Sequence, residues 1–479
     1  MAHIDWKPNR DLDIPIQVQI IEYIKEKIKN GEWTIGTKLP SQRKLAELFE
    51  VNRSTIVSAL GELAADGLLE TKTGSGTTVS NTTWNLLAAP SPDWQNYVQS
   101  GMYEPNFKLI QAINLAEADT SVIRLGTGEL APELLPSEEI TSLLHSADTI
   151  PLGYSEPKGS YALRLQLSRY LQSRDIHVSP AAILITSGSL QALQLIAGGL
   201  LAKGSTILYE SPSYIQSVPV FQSAGTNIFG LAKKDIDITQ QIRQYMRTSD
   251  AALFYANPTF HNPTGRLWNQ AERQRLLLAC RQLSLPIIED DAYYDLWLDA
   301  PPPPPLKALD TQGNVLYTGS FSKSMSPGIR IGWIAGPEPV IDRLADSKMQ
   351  TDYGASSLSQ YVAERWLATG IHLRAAEKIR TNLRKRRDAV LQLLQDHFNE
   401  IASWDKPQGG FYIWLRLHQS VPIHTFFEKA LQQGILLNPG QIYDRNDSHH
   451  LRISYSYASI DQLEYALIQL ASLIKSIQK

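Results

Sequence analysis

The 479-residue chain holds a single cysteine, Cys280, so it can close no internal disulfide, and such thiol usage fits a reducing compartment. No apolar run approaches the ~20 residues that span a bilayer. The opening MAHIDWKPNRDLDIP has no apolar secretion segment. A cytoplasmic protein without a membrane partner is expected. Charge of one sign is missing too: the net charge is −3 and the isoelectric point is near 6.4. No global field pulls the chain toward nucleic acid, so any such contact must come from local groups. There is no internal repeat, no metal site is expected, and the one low-complexity piece, Pro301–Pro305, reads as a short stiff surface loop. Cys280, in the helical run LLLACRQL, reads as core filler.

What is present is apolar content sufficient for a large core, 43% against 19% charged residues. The length calls for several units, or one small and one large.

Over residues 1–80, Pro15 can open a helix in which Val18, Ile21, Ile24 and Ile28 share a face. Ser41 is placed to cap SQRKLAELF, with Leu45, Leu48 and Phe49 inward. Asn52 would cap RSTIVSALGELAAD, with Ile56, Leu60 and Leu63 inward and a stop near Gly67. LLETKTGSGTTV then reads as a hairpin around Gly74, Ser75 and Gly76. Three helices and a hairpin make an α+β winged helix-turn-helix. The plainer alternative, a helical packing unit, leaves unexplained why Asn52, Arg53, Ser54 and Thr55 stand at the start of the third helix. Side chains of those types reach base edges when a helix enters the major groove by its N-terminus. Arg43, Lys44 and Lys72 could take phosphates. The unit is not basic, with 10 Lys/Arg against 11 Asp/Glu; a dimer presenting two such faces would compensate.

Residues 81–117 read as a connecting segment, broken by Pro90 and Pro92. They are too aromatic (Trp84, Trp94, Tyr97, Tyr103, Phe107) to be freely solvated, and so are expected to be partly docked.

From 118 to 479 short apolar runs alternate with amphipathic stretches. AAILITSG, STILYES, AALFYANP, LPIIEDD and GNVLYTGS read as buried strands of an α/β sheet, whose ligands bind beyond the strand carboxyl ends. The polar residues at those ends are what one flat, anionic, aldehyde-bearing cofactor would need. Ser187, Gly188 and Ser189 open a helix and can hold an anion. Tyr214 can stack on a ring, Asn262 offers an amide, and Asp290 stands in a run of three carboxylates with Tyr293 beyond. In GSFSKSMSPGIRIGW, Ser320, Ser322 and Arg330 surround Lys323. Pyridoxal 5′-phosphate accounts for the set: an aldehyde for the lysine, a ring nitrogen for a carboxylate, a phenolic oxygen for amide and tyrosine, a dianion for the rest. Positive charge at Arg330 would favour the neutral amine.

KLPSQRKLAELFEVNRSTIVSALGELAADGLLETKTGSGTTV resembles the GntR-type winged helix, with Lys72 where arginine is commoner. The motifs SGS, PSY, NPTG, DDAY and SFSKSMSPGIRIGW occur in the order of the fold-type I, aspartate-aminotransferase-like family, which this region resembles. That resemblance implies large and small subdomains, the small one largely from about 340–479. It implies Lys323 as the catalytic, Schiff-base lysine and Asp290 as partner of the ring nitrogen. Asn262 and Tyr293 fall at the phenolic oxygen, Tyr214 stacks, and Ser187, Gly188, Ser189, Ser320, Ser322 and Arg330 form the phosphate cup. It further implies that Tyr154 reaches the partner subunit's cofactor in a homodimer, domain swapping being one form, and that Arg452 grips an effector carboxylate; a structural salt bridge is the alternative for Arg452. The joined architecture resembles the MocR-type regulators, the GabR-like and PdxR-like members among them. The expectation is a regulator that reads operator DNA and senses an amino compound, or the cofactor itself; the alternative is an aminotransferase with a vestigial or autoregulatory winged helix.

Overall fold

The structure is a computed structural model describing residues 4–72, 76–80, 107–146, 149–150, 152–232, 238–247, 249 and 251–477. Contacts divide the chain into two units, residues 1–101 and 102–479.

In the first unit Pro15 precedes helix α1, Ile16–Lys29. Its inward face is built from Ile20, Ile21, Ile24 and Ile28, while Val18 is exposed, contrary to the expected stripe. The reason lies next door. Gln19 turns inward and ties down the N-terminal segment, donating to the carbonyls of Asn9 (2.9 Å) and Ile14 (2.7 Å). The Ser41 hydroxyl accepts from the Lys44 N–H (3.3 Å) and opens helix α2, Gln42–Phe49, as the cap chemistry demands. Glu50, left-handed at φ 55°, turns the chain into helix α3, Arg53–Ala65. Asn52 stands at the start of α3, but its side chain makes no capping bond; the expected cap is there in position only. Leu45, Phe49, Ile56, Leu60 and Leu63 meet α1 in one apolar core. Strands β1, Leu69–Lys72, and β2, Gly76–Val79, pair antiparallel with Lys72 opposite Gly76. Gly74 and Ser75 at the hairpin tip lie outside the described residues, as do residues 81–106 of the connecting segment.

The second unit holds a short strand, β3 (Ile123–Arg124), and is built on a seven-stranded sheet. In chain order the strands of that sheet are β4 (Ile183–Thr186), β5 (Thr206–Ser211), β6 (Asn227–Ala232), β7 (Ala251–Ala256), β8 (Ile287–Asp290), β9 (Val315–Ser320) and β10 (Gly332–Ala335). Their spatial order is β4-β10-β9-β8-β7-β5-β6, parallel except for β10, which runs against both neighbours. Five of these strands are the five apolar runs read in the sequence. Helices pack on the sheet through clusters such as Leu193, Ile196, Leu344 and Ile341 on one side and Leu163, Leu167, Val362 and Trp366 on another. Cys280 is buried in helix Gln270–Gln282, and burial pushes its thiol up to about 12.

The remaining strands are β11 (Ala402–Ser403), β12 (Tyr412–Leu417), β13 (Ile435–Leu436), β14 (Asn438–Pro439) and β15 (His450–Ser454). Four of them form an antiparallel sheet in the order β11-β12-β15-β14, while β13 runs parallel to β3. A second core gathers Ile379, Leu383, Ile413, Leu451 and Leu467 around that sheet. Leu109 and Ile113 of helix Lys108–Ala116 join this core from well upstream. Phe107, of the connecting segment's aromatics the one among the described residues, is exposed. The proline run, expected as a short stiff surface loop, lies only partly at the surface. Pro302 and Pro305 are buried, and the chain just after them presents the N–H groups of Leu306 and Lys307 to the Glu289 carboxylate, each at 2.8 Å.

Candidate functional site

A cavity of about 390 Å³ opens beyond the carboxyl ends of the parallel strands, where such sheets place ligands. It is lined by Ser189, Tyr214, Asn262, Asp290, Tyr293, Ser322, Lys323, Arg330 and Arg452. Residues scattered over more than 260 positions of sequence meet there.

Strand alternation sorts the three carboxylates of IIEDD. Glu289 points to one face, where Arg273 lies at 3.5 Å and the two N–H groups after the prolines cap it; burial pushes its carboxyl up to about 7. Asp291, on the same side by the period of two, accepts from the Tyr317 hydroxyl at 2.9 Å. Asp290 alone faces the cavity. One of its oxygens accepts from the Tyr255 hydroxyl at 2.7 Å, and the other is buried without a partner among the described residues. Burial raises its carboxyl to about 6, against the pull of the Tyr255 hydrogen bond. A carboxylate held dry and half-satisfied is an acceptor waiting for a cationic N–H.

Lys323 follows β9 on a loop, its amine donating to the Gly128 carbonyl. Burial is the main cause that lowers its pKa to about 8; Glu129 opposes, and the Arg452 and Arg330 guanidiniums add to the fall. The sequence reading credited Arg330 alone, so burial is the correction. An amine poised near 8 is neutral often enough to act as a nucleophile.

Asn262 and Tyr293 share one side of the cavity. The Asn262 amide approaches the Tyr293 hydroxyl at 3.5 Å, while its oxygen accepts from Arg452 at 2.8 Å. Tyr214 is half-buried next to them, its backbone N–H bonded to the Asn262 carbonyl at 3.2 Å. At the other end, Gly188 (φ 92°) starts helix Ser189–Leu200. Arg330 donates to the Ser187 carbonyl at 2.8 Å, and a Cβ on Gly188 would sit 2.6 Å from that guanidinium. Ser320 donates to Ser322 at 2.8 Å. Helix N–H groups, hydroxyls and an exposed arginine thus converge on one cradle, a geometry made for a phosphate.

Arg452, on β15, lies 4.1 Å over the Tyr412 ring and 4.9 Å over Tyr443. It donates to the Gly126 carbonyl at 2.6 Å, its Nε is buried without a partner, and no carboxylate among the described residues lies within ion-pair distance. The salt-bridge alternative therefore has no partner among those residues. Tyr154 takes no part in its own chain's cavity. It is 87% exposed, edge-on to Tyr353 at 5.2 Å.

Several lining residues were not read from the sequence. Asn257 donates to the Asp290 carbonyl and accepts from the Asn262 N–H (2.7 Å), bracing both. Its signal was available, since it directly follows β7 as Asp290 ends β8. Tyr412, which accepts from Tyr293 (3.3 Å), and Tyr443 and Asn438 had none; they arrive from the other sheet and the turn after it.

In the first unit, Asn52, Arg53 and Ser54 are exposed and Thr55 is half-exposed along the start of α3. Arg43 and Lys44 are exposed and share Glu47 at 3.5 and 3.3 Å, pairs worth little in water. Gly76 closes the hairpin at φ 96°.

The family models divide the chain the same way. Residues 16–79 match bacterial regulatory proteins of the gntR family, and residues 120–470 match the aminotransferase class I and II family. YisV of Bacillus subtilis (strain 168), described as an uncharacterized HTH-type transcriptional regulator, is 49% identical over 468 residues, 97% of each chain. NorG of Staphylococcus aureus (strain N315), an HTH-type transcriptional regulator, is 32% identical over 446 residues, 92% of this chain and 100% of that one. This chain belongs to the MocR-type transcriptional regulators. Among solved structures, Pyrococcus horikoshii kynurenine aminotransferase in complex with PMP is similar over 81% of the regulator and 99% of its own chain (28% identity, TM-score 0.75). The α-aminoadipate aminotransferase LysN of Thermus thermophilus covers the same shares at 25% identity and TM-score 0.72.

The cofactor of such a domain is pyridoxal phosphate, and the residues of the regulator fit it. The half-satisfied Asp290 matches a protonated ring nitrogen, and the Gly188 cradle leaves room that a side chain would fill. No described helix is long and apolar enough to cross a membrane.

Proposed function

We propose that the regulator senses an amino compound at its pyridoxal phosphate and passes that event to operator DNA through the winged helix. The observation that carries the reading is Arg452: a buried guanidinium whose Nε has no partner and which has no carboxylate within ion-pair distance among the described residues, in the same cavity as Lys323. A buried charge is rarely left without a partner, so an incoming ligand's carboxylate is the natural one, held as a bidentate fork. When bound, the cofactor supplies an electrophilic aldehyde and a ring that withdraws electrons.

Each residue then has a task. Lys323 supplies the amine that holds the cofactor and can take or return a proton at the ligand's α-carbon. Asp290 keeps the ring nitrogen protonated, Asn262 and Tyr293 donate to the phenolic oxygen, and Tyr214 stacks on the ring. Ser187, Gly188, Ser189, Ser320, Ser322 and Arg330 take the phosphate. Exposed Tyr154 would complete the partner's cup, which makes a homodimer, domain-swapped or not, the working form. In the winged helix, Asn52, Arg53, Ser54 and Thr55 read base edges, and Ser41, Arg43, Lys44, Lys72 and the Gly74, Ser75 and Gly76 tip contact the backbone. This assigns DNA reading to 1–80, connection to 81–117 and sensing to 118–479, in a cytoplasmic protein.

A ligand shifts DNA affinity only through differential affinity for two arrangements. The test titrates candidate amino acids and amines into the holo-protein while cofactor absorbance and operator binding are read from the same samples, with Lys323→Ala as control. An amine that changes the spectrum and leaves DNA affinity untouched overturns the reading. Steady turnover with an amino donor and a 2-oxo acid would favour the aminotransferase alternative, which retention of Lys323 and Arg452 permits. A response to cofactor loading alone would make pyridoxal phosphate the signal.

A further inference from the structure

Behind the loop that carries Lys323 lies a second cavity, of about 330 Å³, which the cofactor site does not use. Its apolar walls are Phe321 from that loop, Trp366 and Leu367 from helix Ser357–Ala368, and Leu373 from helix Ile371–His397. Its polar groups are incompletely satisfied. Ser324 is 8% exposed, and its hydroxyl has no hydrogen bond among the described residues. The Nε of Arg380 is buried and has no partner among the described residues, although its other nitrogens reach Glu377 (2.5 Å) and the Asp295 carbonyl (3.3 Å). Arg169 stands exposed in the lining with no ion pair or hydrogen bond among the described residues.

The one carboxylate in the lining, Asp295, is already engaged by Arg174 at 2.8 Å and by the Tyr170 hydroxyl. Arg380 is balanced by Glu377. The charge left over is the cation of Arg169. An apolar slot with a few convergent polar donors and one spare cation is the anatomy of a small-molecule site.

We propose that this cavity binds a small carboxylic acid with a flat or branched apolar body, its carboxylate on Arg169 and Ser324. Such a ligand would act on the cofactor site from behind. Phe321 and Ser324 flank Lys323 within two residues. The loop is stiffened locally by the Met325 and Ser326 N–H groups bonding back to the Phe321 carbonyl at 2.9 and 3.1 Å. A second line of contact runs from Asp295 through Arg174 to the Tyr317 hydroxyl (2.7 Å) and on to Asp291, the neighbour of Asp290. Filling the slot therefore presses on both the amine and the carboxylate that would meet the cofactor. Binding stands apart from the effector reading above; only the coupling rests on it.

The test uses 4-iodobenzoate and the full-length holo-protein, with calorimetry for affinity and cofactor absorbance for coupling. Arg452→Ala removes the competing carboxylate grip at the cofactor. In that background the probe should still bind and shift the absorbance band. Adding Arg169→Ala should weaken binding about tenfold or more, as loss of a charge-assisted contact does, and Arg169→Lys should restore part of it. Loss of all binding in Arg452→Ala, or indifference to Arg169→Ala and Ser324→Val, overturns the proposal. If a variant fails to fold, crystals of the unaltered protein soaked with the probe decide instead. The iodine's anomalous signal between Phe321 and Trp366 supports the site, and its appearance only beside Arg452 refutes it. Binding without a spectral shift would keep the effector reading intact and overturn the coupling.

Discussion

The two units hold their candidate side chains in opposite ways. At the start of α3 in the winged helix Asn52, Arg53 and Ser54 are exposed, and no side-chain hydrogen bond or ion pair holds them among the described residues. In the large unit Asp290, Asn262, Tyr293 and Arg452 are buried and held by one another or by neighbours at 2.7–3.5 Å. A polyanion can be met by mobile cations, because its attraction is long-ranged and the contacts form on arrival. A small ring must be met by groups already in place, since misorientation by an ångström forfeits the interaction. Disturbing one unit should therefore give large, all-or-none effects on the cofactor. Disturbing the other should give graded, salt-dependent effects on DNA.

The largest effect is expected at Lys323. In Lys323→Ala, borohydride treatment of cofactor-loaded protein should leave no mass adduct, whereas the unaltered chain should carry one at that residue. An adduct elsewhere would remove the cofactor assignment of the loop. Next comes Asp290→Asn, where two effects should have opposite signs. Without the cofactor, Asp290 has its folded pKa raised to about 6, from an ordinary value near 3.8. The folded state thus binds more protons than the unfolded between those values, so stability is lost as pH rises through that window. At neutral pH the burden is about 3 kcal/mol. Asp290→Asn should therefore stabilise the cofactor-free protein at pH 7 and change little near pH 3.5. The same variant should bind pyridoxal phosphate on the order of 100-fold more weakly, since a buried ring cation loses its counter-charge. Thermal melts with and without cofactor read both. If both effects have the same sign, Asp290 does not face the ring.

The same contrast explains what the sequence disclosed. Five strands of the large sheet were legible because burial on both faces makes each a continuous apolar run. β6 and β10 were not: β6, at one edge of the sheet, is interrupted by Gly230, and β10 begins within the cofactor-loop motif. The site residues on strand ends or on the loops after them, Asp290 and Asn262 among them, belong to local motifs. Tyr412, Tyr443 and Asn438 do not, because packing between two sheets brings them in. Local pattern also cannot separate neighbours that compete for one core position. Val18 and Ile20 both suit the α1 stripe, and the bonds of Gln19 to the N-terminal segment go with Ile20 facing inward. The surplus of carboxylates at 289–291 was visible. Its resolution, one facing the cavity and two paired behind, needed the strand's alternation and the distant Arg273 and Tyr317.

On the DNA side the effects shrink. Arg53→Ala should weaken operator binding by about 1–3 kcal/mol if the side chain reads a base, and should relax preference at one position. A uniform loss across sequences, with a shallower salt dependence, would make it a phosphate contact instead. Either result spares cofactor binding.

The smallest expected effect separates two tasks assigned to one hydroxyl. Ser41 caps α2 by accepting from the Lys44 N–H, and it is also a candidate phosphate contact. Ser41→Ala removes both and should cost the winged helix about 1 kcal/mol of stability. Ser41→Asp keeps an acceptor for the Lys44 N–H and favours the helix N-terminus with its negative charge, yet would repel a phosphate. If the hydroxyl only caps, the aspartate variant should match the unaltered protein in both melting and operator affinity. If it also touches DNA, melting should be preserved while affinity falls most steeply at low salt, where the repulsion is least screened.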